Sequence, residues 1–192
     1  MMFVHIPKTG GTSVYTTLGI TEPGHKKLLK YTPGSFTVVR NPLDRLVSHF
    51  CYIKTKNSHY YKKHPNFKSL QYANFDDYIY LCESDYKFYL KPQCEFICDN
   101  NDNILVEHIL KFENLQNDFN KFWDLKLLHI NKSDRKKDWR SYYNSKTFEI
   151  TCDYYNRDIK LFNYEKKNGK VCKQKIKFSM CLWYLYCFGL QL

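Results

Sequence analysis

The order of apolar and polar positions divides the first half of the chain into short apolar runs, each followed by a turn and a helical pattern. An apolar run over 2–6 leads into a glycine turn and then a helical pattern that begins near Thr12. A second apolar run over 36–39 precedes Asn41 and Pro42, which favour a helix N-cap and first turn, and predicts a helix to about Ile53. The succession of strand, loop and helix therefore occurs twice.

The same alternation continues toward the C-terminus. Residues 104–111 predict another strand, 114–123 a helix that opens with acidic and amide residues, and 148–162 a closing amphipathic helix. The stretch 54–92 is rich in tyrosine and lysine and carries mixed signals, among them a helical pattern over 75–81. Strands that alternate with helices predict an α/β fold, with a parallel β-sheet flanked by helices.

A change of composition after Tyr164 separates a tail from the body. We expect one domain over 1–164, a basic linker over 165–177 and an uncharged, apolar tail over 178–192. The tail is shorter than the roughly 20 residues that span a bilayer. We favour a tail that packs on the body, with an interfacial anchor assisted by the flanking lysines as the alternative.

Composition excludes a disordered chain and indicates an anionic partner. The 192 residues are 43% hydrophobic, which supplies a core, and lysine plus arginine exceed aspartate plus glutamate by 30 to 19, a net charge of +11. Codon bias in a low-GC genome would produce the same lysine excess, so charge alone identifies no partner. A basic nucleic-acid-binding protein is one interpretation, although the chain carries no recognised RNA- or DNA-binding motif.

The eight cysteines are scattered, with no C-x-x-C pair and no matching set of cysteine and histidine at zinc spacing. We therefore expect reduced, mostly buried thiols and no metal. The apolar run over 2–6 starts directly at the N-terminus, which leaves no room for a secretory leader ahead of it, and this favours a cytoplasmic location.

Two loops carry residue types that bind phosphate or sulfate. The first lies between the first strand and the first helix and reads Pro-Lys-Thr-Gly-Gly-Thr-Ser over 7–13. Glycines let backbone N–H groups approach an anion, hydroxyls add donors, and the helix N-terminus favours negative charge. Because Lys8 precedes the glycines, the loop is not a Walker A motif, which argues against ATP hydrolysis.

The second loop starts at Arg40, at the predicted carboxyl end of its strand, which is the ligand-binding edge of an open parallel sheet. Ser48 follows at 48 − 40 = 8 positions, about two helical turns along, where its hydroxyl would share an anion with the guanidinium. Two anion sites are therefore predicted.

These motifs together resemble the sulfotransferases that use 3′-phosphoadenosine 5′-phosphosulfate (PAPS). Residues 3–13 look like the 5′-phosphosulfate loop of that family, and 40–48 look like its 3′-phosphate motif. Further similar stretches extend the resemblance over about residues 2–164 and favour the carbohydrate branch, of uronyl 2-O or chondroitin type; they lie at 92–93, 110–115, 129–133 and 154–159.

The resemblance implies the P-loop-NTPase-like sulfotransferase fold, with PAPS as co-substrate, no metal, and a hydroxyl acceptor that is expected to be a carbohydrate. Lys8 would neutralise charge on the leaving phosphate, and Arg40 and Ser48 would bind the 3′-phosphate. A loop that folds over the nucleotide in similar enzymes matches Ser133 and Lys136. The backbone N–H groups that would hold the 5′ end belong to Thr9, Gly10, Gly11, Thr12 and Ser13.

His25 is the predicted general base. It lies between the two anion loops, after a proline-glycine turn, where enzymes resembling the uronyl 2-O-sulfotransferases place their catalytic histidine. The alternative is a solvated loop residue beside two lysines. His5, which lies in a predicted buried strand and is expected to be a hydrogen-bonded core residue, and His49, on the following helix, are the rivals.

Two further side chains, Glu113 and Gln93, have two interpretations each. Glu113 acts as a base or, at its strand end, orients a neighbour or caps a turn, and Gln93 contacts a ligand or bonds to backbone. Asp44 would pair with Arg45 on a helix surface. For the whole chain, a catalytically silent PAP- or glycan-binding protein of the same fold is the alternative to an enzyme.

Overall fold

The computed structural model describes residues 1–55, 72–84, 90–130 and 135–164 of the chain. Three strands, β1 (Met2–Val4), β2 (Thr32–Val39) and β3 (Val106–Lys111), form a parallel sheet in the order β1-β2-β3. The carboxyl ends of all three strands therefore lie at one edge, where the chain continues into the glycine turn, Arg40 and Phe112. The predicted α/β class with a parallel sheet is confirmed.

Helices cover both faces of the sheet. Phe36 and Val38 of β2 pack toward a cluster with Phe119, whereas Val39 joins a second cluster with Cys94. In the described part of the chain the α-helices are α1 (Gly11–Thr17), α2 (Pro42–Ile53), α3 (Phe75–Ser84), α4 (Cys94–Ile97), α5 (Leu115–Asn120), α6 (Ser145–Tyr154) and α7 (Asn156–Leu161). Two 3-10 turns lie at Phe112–Asn114 and Trp139–Tyr142.

Helix α2 has the bounds expected from its sequence. The Asn41 side chain accepts hydrogen bonds from the backbone N–H of Leu43 at 3.0 Å and Asp44 at 3.3 Å, and Pro42 occupies the first turn. The helix is buried along most of its length in the largest core cluster, which it shares with residues of α3 and α6. It leaves the sheet edge directly after Arg40 and is fixed there by its cap.

The closing segment departs from the prediction of one amphipathic helix over 148–162. The chain forms α6 and α7 instead, separated at Tyr155, whose backbone (φ −97°, ψ 20°) leaves the helical region. The Tyr155 ring is fully buried and its hydroxyl donates to the carbonyl of Leu90 at 2.7 Å. Helical periodicity survives the break because both helices present apolar residues to the same core, so periodicity alone does not detect it.

Two other predicted elements have different bounds. Strand β2 begins at Thr32, four residues earlier than the apolar run, and its register against β3 shifts between Thr32 and Phe36. The predicted helix over 114–123 is the 3-10 turn Phe112–Asn114 followed by α5. None of the helices in the described ranges is long and apolar enough to cross a membrane.

The five described cysteines are thiols and not disulfides, and four of them are buried, as expected: Cys51, Cys82, Cys94, Cys98 and Cys152. The predicted linker over 165–177 and tail over 178–192 lie outside the described residues, as does Ser133.

Candidate functional site

The glycine turn that joins β1 to α1 is tightly packed. Lys8 (φ 66°) and Gly10 (φ 83°) both lie in the left-handed region, and a Cβ on Gly11 would stand 2.1 Å from the ring of His5. The Thr9 hydroxyl donates to the carbonyl of Ile6 at 2.9 Å, so it holds the turn together rather than facing outward. Glycine at position 11 is therefore required by close packing and at position 10 by the backbone.

Arg40 meets this turn at the sheet edge. Its Nη1 donates to the carbonyl of Lys8 at 3.2 Å, and its guanidinium lies 3.9 Å from the ring centroid of Phe112. Phe112 also packs against Gly10, because its ring would lie 3.0 Å from a Cβ at that position. The structure thus brings the two loops that the sequence singled out into direct contact.

The backbone of Arg40 is fixed by a buried amide. Its N–H donates to Gln93 Oε1 and its carbonyl accepts from Gln93 Nε2, both at 2.8 Å. The Asp158 carboxylate accepts in turn from the backbone N–H of Gln93 at 2.7 Å and of Cys94 at 2.9 Å. Of the two interpretations of Gln93, the bond to backbone is confirmed, and its effect is to position Arg40.

Asp44 lies between two guanidinium groups. Its Oδ2 accepts from Arg40 Nε and Nη2, each at 2.8 Å, and its Oδ1 lies 2.6 Å from Arg135 Nη1. The expected pair between Asp44 and Arg45 is wrong, because neighbours in sequence point to different faces of a helix and residues four apart share one. Arg45 is fully buried and donates to the carbonyls of Pro7 at 2.8 Å and Lys91 at 3.0 Å.

The Lys8 ammonium adds a further positive charge at this edge. It lies 4.1 Å from the ring centroid of Tyr52, on α2, and forms no ion pair within the part of the chain that the structure describes. Burial, followed by repulsion from Arg40 and Arg135 and partly offset by Cys51, lowers the pKa of Lys8 to about 8. A bound anion would favour the charged form and reverse this shift.

Glu113 completes the edge at the end of β3. Its Oε1 accepts from the backbone N–H of Asn41 at 2.6 Å and its Oε2 accepts from the Tyr164 hydroxyl at 3.0 Å. Both oxygens therefore serve neighbours, so the orienting and capping interpretation is confirmed. Glu113 fixes the start of α2 from outside the helix.

Ser48 and His49 follow on α2, one turn beyond Asp44. Ser48 is buried, and His49 is buried with its Nδ1 2.9 Å from the hydroxyl of Tyr78. Burial, followed by repulsion from Lys8 and Arg45, lowers the pKa of His49 to about 3. His49 is thus a neutral residue of the core, which makes it a poor general base.

His25 lies on the surface and is joined to the glycine turn through His5. Its Nδ1 is 3.1 Å from the carbonyl oxygen of His5, and the two ring centroids are 4.4 Å apart. Since a carbonyl only accepts, Nδ1 carries the proton and Nε2 keeps its lone pair. His5 is buried as expected, but its Nδ1 has no hydrogen-bond partner among the described residues.

A cavity of about 330 Å³ lies next to Gly10 and is also lined by residues of α5. Ser13 lines it, and the Ser13 hydroxyl accepts from the backbone N–H of Ile130 at 3.3 Å, which holds the segment before position 131 on α1. Lys136, from the loop predicted to cover a nucleotide, is described; its backbone N–H donates to the Tyr142 hydroxyl at 3.2 Å.

No protein-family model, curated protein or solved structure matches the chain.

The sheet edge is therefore an electropositive site built from two loops. Lys8, Arg40 and Arg135 converge there, with Asp44 as the carboxylate between the two arginines. Sequence reasoning missed Arg135, which enters from a distant segment and carries no local signal. The role of Asp44 was within reach, because its spacing of four from Arg40 places both side chains on one side of the first turn.

Proposed function

We propose that this chain transfers the sulfuryl group of PAPS to a hydroxyl acceptor, with a carbohydrate as the acceptor class. The observation that supports the proposal most directly is the contact between the two anion loops, where Arg40 Nη1 lies 3.2 Å from the carbonyl of Lys8. PAPS carries a phosphosulfate at its 5′ end and a phosphate at its 3′ end. A nucleotide of this kind needs two cationic subsites that the fold holds side by side.

The local charge favours such a ligand. Two guanidinium groups, those of Arg40 and Arg135, share the carboxylate of Asp44, and the pKa of Lys8 is lowered by burial, followed by repulsion from these two arginines. Anionic oxygens would supply the missing counter-charge. Each charge-assisted hydrogen bond contributes about 1.5 to 3 kcal/mol, so two or three of them account for tight nucleotide binding.

In the proposed reaction the acceptor oxygen attacks sulfur in line with the bond between sulfur and the 5′-phosphate oxygen. That bond breaks as the new sulfur–oxygen bond forms, and Lys8 neutralises the charge that develops on the leaving phosphate. Arg40 and Ser48 hold the 3′-phosphate, and backbone N–H groups of residues 9–12 hold the 5′ end, since the N–H of Ser13 already donates to the carbonyl of Gly10 at 3.1 Å. Positioning and electrostatics of this kind supply most of the rate enhancement in group transfer.

His25 is the proposed acceptor of the hydroxyl proton. Its Nδ1–H is directed at the carbonyl of His5, so the free lone pair is on Nε2, as a general base requires. The products are a sulfate ester, adenosine 3′,5′-bisphosphate and a proton on His25, which solvent then removes. A positioned base contributes roughly 10² to 10⁴ in rate.

Titration calorimetry with adenosine 3′,5′-bisphosphate tests the nucleotide site. We expect Arg40→Ala to weaken binding by about 10- to 100-fold, since it removes charge-assisted bonds. Arg140→Ala is the matched control, because Arg140 is a surface arginine that pairs with Asp138 at 3.7 Å. No binding at about 1 mM ligand, or equal affinity in Arg40→Ala and the control, would overturn the proposal.

Incubation with radiolabelled PAPS and a panel of glycans tests the transfer step. His25→Ala is expected to keep the bisphosphate affinity and to lose about 100-fold or more in transfer, whereas Lys8→Ala loses both. Binding of the bisphosphate without transfer to any acceptor would instead favour the silent nucleotide-binding protein. Transfer at the wild-type rate in His25→Ala would remove His25 as the base.

A further inference from the structure

We propose that His5, Glu22 and His25 form a binding site for one divalent transition-metal ion of the zinc type. One ring nitrogen of each histidine and one carboxylate oxygen of Glu22 lie within 4.8 Å of one another. Over the described ranges, no other group of three such side chains comes this close. The inference does not depend on sulfuryl transfer.

A buried nitrogen without a partner supports the site independently of this clustering. His5 is only 6% exposed, its Nδ1 accepts or donates no hydrogen bond among the described residues, and Glu22 Oε1 lies 4.0 Å from it. A buried polar atom left unsatisfied costs about 1 to 3 kcal/mol. A metal ion held by Glu22 would also bind His5 Nδ1 and so give this buried nitrogen a partner.

The second histidine is held as metal ligands usually are. His25 Nδ1–H donates to the carbonyl of His5, which fixes the tautomer and leaves the other nitrogen as a ligand. A backbone carbonyl behind a coordinating imidazole is the common second-layer arrangement of zinc sites. The ring of His5 is itself fixed from three sides, by Phe3, Tyr15 and the backbone at Gly11.

The donor set selects the class of ion. Two imidazoles and one carboxylate suit Zn²⁺, Co²⁺, Ni²⁺ and Cu²⁺, whereas Ca²⁺ and Mg²⁺ prefer oxygen ligands. Bonds of about 2.1 Å in a tetrahedron place ligand atoms about 3.4 Å apart, so the groups must close in by roughly 1 Å. Glu22 and His25 are exposed and can make that movement, while His5 stays fixed. A fourth position remains for water.

Occupation of the site would have a consequence for the proposed transfer reaction. A metal ion bound to the free nitrogen of His25 removes the lone pair that proton abstraction needs. If the chain transfers sulfuryl groups, Zn²⁺ is expected to inhibit the transfer and a chelator to restore it. Metal binding itself is measured without any substrate, so the two proposals can fail separately.

The test is a titration of the untagged, reduced full-length chain with Co²⁺, followed by visible absorption, with Zn²⁺ as competitor. We expect one equivalent bound, with affinity reduced about tenfold or more in Glu22→Gln and His25→Ala. These two residues are exposed, so both variants are expected to fold where His5→Ala, in the core, is not. His108→Ala is the control, since His108 lies on β3 near Glu107, apart from the cluster.

Thermal unfolding gives a second readout. Zn²⁺ is expected to raise the midpoint of the wild type and of His108→Ala, and to raise that of His25→Ala clearly less, because the ion stabilises the folded state according to its affinity for the folded site. The proposal is overturned if Co²⁺ gives no visible band at about 1 mM, or if His25→Ala binds as the wild type does. A sulfur-to-cobalt charge-transfer band would also overturn it, since it would place the ion on cysteine thiolates.

Discussion

Replacing Asp44 with asparagine tests how the charges at the sheet edge are held together. The side chains of Arg40, Asp44 and Arg135 are 6%, 10% and 13% exposed, so water screens their interaction weakly. Removing one partner of a buried ion pair costs about 3 to 5 kcal/mol, because the remaining charge stays buried. Arg40 keeps its contacts with the carbonyl of Lys8 and with Phe112, which places the expected loss near the lower end, about 3 kcal/mol.

Urea denaturation measures this loss. With a slope of about 2 kcal/mol per molar, the midpoint of Asp44→Asn falls by about 1.5 M. Asp138→Asn is the matched control, since the carboxylate of Asp138 is 65% exposed and lies 3.7 Å from Arg140. A surface pair of that kind contributes less than about 1 kcal/mol, so the control is expected to shift the midpoint little.

The same variant reports on anion binding. With the carboxylate gone, sulfate or adenosine 3′,5′-bisphosphate would find two guanidinium groups without a counterion, and either ligand is expected to stabilise Asp44→Asn more than the wild type. A loss of stability equal to that of the Asp138 control would refute the buried charge cluster. Equal stabilisation of variant and wild type by the bisphosphate would refute its position beside Arg40.

Three further changes test the turn, the lysine and the helix cap. Gly11→Ala sets a methyl group 2.1 Å from the His5 ring and is expected to lower the free energy of unfolding by about 1 to 3 kcal/mol in urea melts. Gly19→Ala is the comparison, since its Cβ meets open space and its cost comes only from the left-handed backbone (φ 64°), about 1 kcal/mol. The pKa of Lys8 falls from 10.5 to about 8 on folding, so between these pH values the unfolded chain binds more protons than the folded chain. The free energy of unfolding of the wild type, relative to that of Lys8→Met, is therefore expected to rise as the pH rises through this range. Melts near pH 7 and pH 10 measure the difference, and a constant difference would contradict the lowered pKa. Asn41→Ala removes the acceptor of two N–H groups of α2 and is expected to cost about 1 kcal/mol; an unchanged midpoint would show that the cap contributes nothing.

The parts of the fold that were predictable are those encoded by neighbouring residues. Apolar runs marked the three strands, and Asn41 with Pro42 marked the start of α2, because caps and strand propensity act within a few positions. The break between α6 and α7 at Tyr155 was not predictable in this way. The Tyr155 hydroxyl there donates to the carbonyl of Leu90, 65 positions earlier in the chain.

The candidate site also has a part that the sequence predicted and a part that only the packed structure shows. The residue types and spacing of 7–13 and 40–48 were sufficient to single out both loops, and parallel strands necessarily end at a common edge. The anchoring of Arg40 by Gln93, and the arrival of Arg135 beside Asp44, required the packed structure. Contacts between distant segments depend on how the helices pack, and residue order alone does not specify that packing.

The amino-acid sequence alone therefore determined the local features of this protein. These are the turn that needs glycine, the helix that begins at Asn41, and the strand that ends at Arg40. Folding decided which charges share a carboxylate, which histidine is buried with a nitrogen that bonds to none of the described residues, and which is held at the surface against a carbonyl. The reason is physical. Backbone preferences act over a few residues, whereas desolvation and pairing of charge depend on every segment that packs around the group.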